Sequence, residues 1–146
     1  MGRRSKKARY TRMFVDVRRA LESAQRRAEA TFARRGERIV ADTEEEYVAA
    51  LRADQVAMEL AGEGAAYTRS LEALVDAESE RGGKYPDGKI WRVLNEILSE
   101  NYHKYKDAPD AMEQGYAKGF LGAIAAIQDA EDAVGMPSPW RSTFNG

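Results

Sequence analysis

The chain of 146 residues has no cysteine, a single histidine, four prolines and no long hydrophobic run. Without cysteine there are no disulfides, no thiolate metal sites and no cysteine nucleophile. His103 has no second imidazole to share a metal with. Of the residues four positions away, Ser99 is not a carboxylate and Asp107 reads as a helix cap, so neither metal ligation nor general-base work is expected of it. The longest apolar run, residues 120–127, is far shorter than the roughly 20 residues that cross a bilayer. No run of β-branched residues reaches strand length, and no segment repeats. No glycine-rich loop follows a strand, and no Ser or Thr stands in a nucleophile motif. A catalytic role is therefore not expected, and neither a cofactor nor a metal is implied.

Residues 1–12 are basic, but no apolar signal-peptide core follows them. Met1-Gly2 opens like an N-myristoylation signal, yet Lys6 stands where Ser or Thr is required. A cytoplasmic protein is the expectation.

What is present in quantity is alanine and arginine. There are 24 Ala, and 16 Arg against 7 Lys, and alanine is the strongest helix former. The formal net charge of -1 conceals a split. Residues 1–38 hold 13 of the 23 basic residues and four of the 24 acids (Asp16, Glu22, Glu29, Glu37), a net of +9. Residues 39–146 hold the other ten basic and 20 acidic residues, a net of -10. The chain divides into a basic N-terminal arm and helix (1–38), an acidic helical body (39–135) and a C-terminal tail (136–146). A split of this kind implies a polyanionic partner, or association of arm with body.

The pattern predicts an all-α fold, about five helices in a bundle-like single domain with a long basic amphipathic first helix. The first helix starts at Ser5 or Thr11 and runs to Arg35, with Gly36 as its C-cap. Tyr10, Phe14, Val17, Leu21, Ala24, Ala28 and Phe32 recur at steps of four and three and form its apolar stripe. Arg9, Arg12, Arg19, Arg26, Arg27 and Arg34 fall on the opposite face. A second helix opens at Asp42 or Thr43, where Thr43 and Glu46 fit a capping box. Gly62-Glu63-Gly64 is expected to break or kink it, because glycine is unfavourable in a helix interior. A third helix carries Tyr67, Leu71, Leu74 and Val75 on one face, and residues 82–88 read as a loop. The fourth, about 89–105, buries Ile90, Trp91, Leu94, Ile97, Leu98, Tyr102 and Tyr105. Asp107 is the expected N-cap of the fifth, with Pro109 in its first turn and Gly135 at its end. Two prolines keep the tail from continuing it.

The arginine stripe is the strongest functional signal. Guanidinium groups bind phosphates and carboxylates through paired hydrogen bonds. Arg3, Arg4, Lys6 and Lys7 extend its reach. The bland alternative is a solvated polar face that happens to be rich in arginine. An interfacial helix dipping Tyr10, Phe14, Leu21 and Phe32 into lipid is a weaker use, since Ala24 and Ala28 add little apolar bulk.

Gly115, Gly119 and Gly122 line a face of the fifth helix with almost no side-chain bulk, suited to close packing against another helix or a second copy. Trp140 and Phe144 in the tail are suited to anchoring in a partner's pocket or to folding over their own core. Glu44, Glu45 and Glu46 point around their helix rather than to one point, and Asp107, Asp110 and Glu113 are explained by capping, so no metal site is expected. The segment around Gly62 resembles a helix-turn-helix in outline but lacks a surface for reading bases.

Small size, Ala/Arg richness and few motifs make the chain similar in composition to small accessory or virion proteins of phages with high-GC hosts, though no motif carries that resemblance. Three functions follow as expectations. The first is a non-catalytic interaction protein docking its Arg-rich helix on nucleic acid or on an acidic protein surface, and self-associating. The second is a self-assembling structural subunit of virion or scaffold type, in which the arm of one copy lies on the acidic body of the next. The third, and weakest, is a carboxylate-based enzyme.

Overall fold

The computed structural model describes residues 5–80 and 88–136. They form five α-helices: α1 (Lys6–Glu37), α2 (Glu44–Ala53), α3 (Gln55–Glu80), α4 (Gly88–Tyr105) and α5 (Ala111–Ala133). No strand occurs among the described residues. The all-α expectation holds.

Local chemistry sets most helix ends. The Ser5 hydroxyl accepts from Ala8 N at 3.1 Å and starts α1. Thr43 caps α2 in the same way, accepting from Glu46 N at 3.1 Å. The Glu46 carboxylate reaches back to Asp42 N at 3.2 Å, one residue before the cap, so the capping box is not closed on Thr43 itself. α5 ends in a Schellman motif. Gly135 takes φ 69, its N–H reaches Asp132 O, and Met136 N reaches Glu131 O.

Three boundaries differ from the sequence expectation. Gly36 is not a C-cap: it lies inside the last turn of α1, buried under the Tyr47 ring. The N-cap of α5 is Asp110, whose carboxylate accepts from Glu113 N at 3.1 Å, so Asp107 and Pro109 precede the helix. The largest difference concerns α3, which runs unbroken through Gly62 and Gly64. The chain breaks instead at Asp54, in extended backbone with ψ 105. The Asp54 carboxylate caps Ala57 N at 3.0 Å and accepts from Arg35 Nε at 2.9 Å. The predicted loop at 82–88 and the tail from 137 onward, Trp140 and Phe144 among them, lie outside the described residues, Gly88 excepted, which opens α4.

Tertiary packing explains why the two glycines do not break α3. α3 lies most extensively against α5 and next against α1, while α4 covers the other side of α5. A Cβ on Gly62 would run into the backbone carbonyl of Met112, and one on Gly115 into that of Glu59. Gly119 is also tight, against the Ala66 side chain and the Glu63 carbonyl. The glycines therefore let two backbones meet, and the packing gained outweighs their cost of about 1 kcal/mol each in a helix interior.

The core forms around this pair. α1 contributes Met13, Phe14, Val17 and Leu21, α4 contributes Trp91, Leu94 and Leu98, and α5 contributes Phe120, Ile124 and Ile127. Fully burying each such side chain contributes roughly 1.5–3 kcal/mol relative to exposure. α1 is thus packed along the body and does not project from it. Ile97 is 39% exposed and Val75 38%, so these two expected core positions face outward. α2 has no buried residue; it lies mainly against α3 and touches α1 through Tyr47 at Gly36.

Candidate polyanion-binding face

The register that buries Phe14, Val17 and Leu21 also places the arginines. Helical geometry puts residues 9, 12, 19, 26, 27 and 34 on the side away from the apolar stripe. Arg12, Arg19, Arg26, Arg27 and Arg34 are exposed, and Arg9 is half-buried. At about 1.5 Å per residue, Arg9 and Arg34 stand roughly 38 Å apart along the axis. Exposed Ala20, Ala30 and Ala33 lie between them, so guanidinium groups are the main projections. Lys6 and Lys7 are exposed at the helix start, and Arg3 and Arg4 lie outside the described residues.

The six are not equivalent. Arg12 pairs with Asp16 at 3.4 Å, and Arg26 stands 4.0 Å from Glu22 with 71% of its side chain exposed. Arg34 donates to Thr31 Oγ1 at 3.2 Å. Arg19 has no ion pair among the described residues. Exposed i,i+4 pairs contribute only about 0.3–0.5 kcal/mol, so Arg12 and Arg26 can exchange their carboxylates for an outside anion at little cost. Arg27 is different, because it turns toward the seam with α3. There it lines a cavity of about 170 Å³ with Ala24, Thr31, Leu60, Glu63 and Tyr67. Burial raises the pKa of Glu63, and the Arg27 charge opposes that rise. Burial, and then the Glu63 charge, raise that of the Tyr67 hydroxyl.

Arg18 and Arg35 are also committed. Arg18 pairs with Glu22 at 3.0 Å on the edge of the face, and Arg35 holds Asp54. The open part of the face is therefore Arg12, Arg19, Arg26 and Arg34.

The expected interface residues lie mostly inside the chain. Phe14 and Leu21 are in the core, Tyr10 packs against it with its hydroxyl beside Gly88, and Phe32 is half-buried. The apolar side of α1 is thus used within the fold and is not free to enter lipid. Gly115 and Gly119 face α3, and Gly122 lies under the Tyr67 ring. His103 is exposed, edge-on to Tyr102. Glu44, Glu45 and Glu46 form the exposed first turn of α2. The helix-turn-helix outline disappears, because α3 is continuous where the turn would be.

Sequence reading missed two features. One is the Arg27–Glu63–Tyr67 seam, whose residues come from two helices. The other is an aromatic cleft of about 520 Å³ between α3, the end of α4 and α5, lined in part by Tyr105, Tyr116 and Phe120. Each aromatic was legible as a helix-face residue, but nothing in the sequence joins them.

Among the described residues no group of three or more His, Cys, Asp or Glu could hold a metal ion, and no helix is long and apolar enough to cross a membrane. No protein-family model matches the chain, and no curated protein or solved structure is significantly similar to it.

Proposed function

We propose that this chain is a non-catalytic helical interaction protein that docks the arginine face of α1 on a polyanion, either a phosphate backbone or an acidic protein surface. The observation that carries this is the division of α1. Its apolar side is committed to the core, while Arg12, Arg19, Arg26 and Arg34 stand exposed in a row on the other. A row of guanidinium groups on a rigid helix presents paired donors at fixed spacing, which suits carboxylates and phosphates alike. The net charge of -10 over residues 39–146 disfavours a duplex lying across the whole molecule, so contact would run through α1 alone.

A second reading rests on the same charge split. The +9 segment of one copy docking on the -10 segment of the next would give a homo-oligomer of structural or scaffold type. Size-exclusion chromatography with light scattering separates the two, run at low and high salt on protein before and after nuclease treatment, with absorbance read at 260 and 280 nm. A monomer that carries nucleic acid or an acidic protein until salt is raised supports polyanion docking. A clean oligomer that dissociates with salt supports arm-on-body assembly. A monomer that carries nothing at either salt contradicts both.

A further inference from the structure

We propose that the cleft between α3, the end of α4 and α5 binds a planar aromatic molecule carrying an anionic group. The cleft measures about 520 Å³, within the range of small-ligand sites. Its floor is made of rings. Tyr105 meets Tyr116 edge-on at 5.1 Å and lies nearly parallel to Phe120 at 6.5 Å, with 12° between planes. Phe120 is buried and fixes the floor, while Tyr105 and Tyr116 are half-buried and leave ring surface open. Neither tyrosine hydroxyl has a hydrogen-bond partner among the described residues. An aromatic guest gains offset or edge contacts here and finds two phenol groups for its polar edge.

The charges at the cleft decide the sign of the guest. Thr68, Arg69 and Glu72 of α3 line its rim. Arg69 is exposed and has no ion pair among the described residues. Lys104 Nζ stands 5.2 Å from the Tyr105 ring centroid, so a second positive charge flanks the same ring. Arg69 in the lining and Lys104 just outside it stand against the single lining carboxylate, Glu72, and favour an anionic guest. This site is separate from the arginine face. Thr68 is tied to α1 through Gln25 at 2.6 Å, and Gln25 lies across α1 from Arg12 and Arg19.

A free aromatic acid and a nucleotide share this chemistry, so both are probes. The full chain is titrated with 2-naphthoate and with adenosine 5′-monophosphate, following backbone amide shifts by NMR. Cyclohexanecarboxylate lacks the aromatic ring, and 2-naphthylmethylamine reverses the charge. At least one aromatic anion is expected to saturate shifts in residues 65–72, 105 and 116–120, at least tenfold more tightly than either control. Arg69→Gln, an exposed change that leaves the core intact, is expected to weaken that binding severalfold. Tighter naphthoate binding assigns a free aromatic acid, tighter nucleotide binding assigns a nucleotide, and either upholds the proposal. No saturable shift in the cleft, a control that binds as well, or no effect of Arg69→Gln would overturn it.

Discussion

Gly62 of α3 and Gly115 of α5 seat the same helix pair from opposite sides, each pressed on backbone of the other helix where a Cβ would collide. The Gly62 site is closed by the Met112 carbonyl and the Gly115 site by that of Glu59. Lys118 and Glu59 close the same seam at the surface with an ion pair. Gly64, two residues on, is a different case. A Cβ there would meet only the Ala28 Cβ at 3.8 Å and the Glu29 Cγ at 4.0 Å, an ordinary contact.

The first prediction sets these glycines against each other. Gly115→Ala forces backbone apart, and overpacking of about 1–3 kcal/mol exceeds the roughly 1 kcal/mol that alanine gains in helix propensity. A net loss of up to about 2 kcal/mol is expected in urea unfolding. Gly64→Ala collects the propensity gain without the clash and should stabilise by about 0.5–1 kcal/mol. Equal effects at both positions would mean the α3–α5 contact is not as close as described.

The second prediction concerns pH. Asp54 is held below its ordinary pKa of 3.8, first by the Ala57 N–H and then by the Arg35 hydrogen bond. A lowered folded pKa gives stability that is present above the unfolded value and lost as pH falls through the folded one. Asp54→Ala should therefore lower the thermal midpoint at neutral pH, with the gap to wild type closing as pH falls below 3.8 and through the folded pKa. Glu63 behaves oppositely. Its pKa is raised above 4.5 by burial, so its contribution is fully present below the unfolded value and lost as pH rises through the folded one. Glu63→Gln should raise the midpoint at neutral pH and match wild type below about pH 4. A Gln variant less stable than wild type at neutral pH would show that the Arg27 attraction outweighs desolvation.

A third prediction separates the arginine face from the fold. Arg12, Arg19 and Arg26 are exposed, and the intrahelical pairs of Arg12 and Arg26 are weak. Reversing all three to Glu should leave the helical circular dichroism spectrum unchanged, with the thermal midpoint shifted by a few degrees at most. Changing Arg35 to Glu should be more damaging than any one of them, since it places two carboxylates together at Asp54. A triple variant that unfolds at room temperature would show that the face serves stability.

Much of this fold is written locally. Ser5, Thr43 and Gly135 act where their residue types place them, and the stripe from Phe14 to Leu21 identifies the buried side of α1. Asp54 was not legible, because neither proline nor glycine marks the break. Its only signal is an Asp three residues before Ala57, and Asp is common on helix surfaces. Gly62 and Gly64 misled for the opposite reason. Their weak propensity reads as a break, but α5, about 50 residues away in sequence, packs its backbone on Gly62, and α1 lies against Gly64. The arginine face was legible as a stripe, since helical register alone separates it from the core. The turning of Arg27 toward Glu63 was not, because it depends on where α3 lies. The aromatic cleft needs three helices to exist at all.

Binding of a polyanion by the exposed arginines of α1 is tested by direct titration. Fluorescently labelled single-stranded and duplex oligonucleotides and a labelled polyglutamate peptide are titrated with wild type and with R12E/R19E/R26E, over a series of salt concentrations. Saturable, salt-sensitive wild-type binding to at least one of them is expected. In the variant that binding is largely lost and, for an oligonucleotide, the slope of log affinity against log salt falls by about 2–3. Wild type and variant binding alike, or neither binding any of the three at low salt, would contradict it.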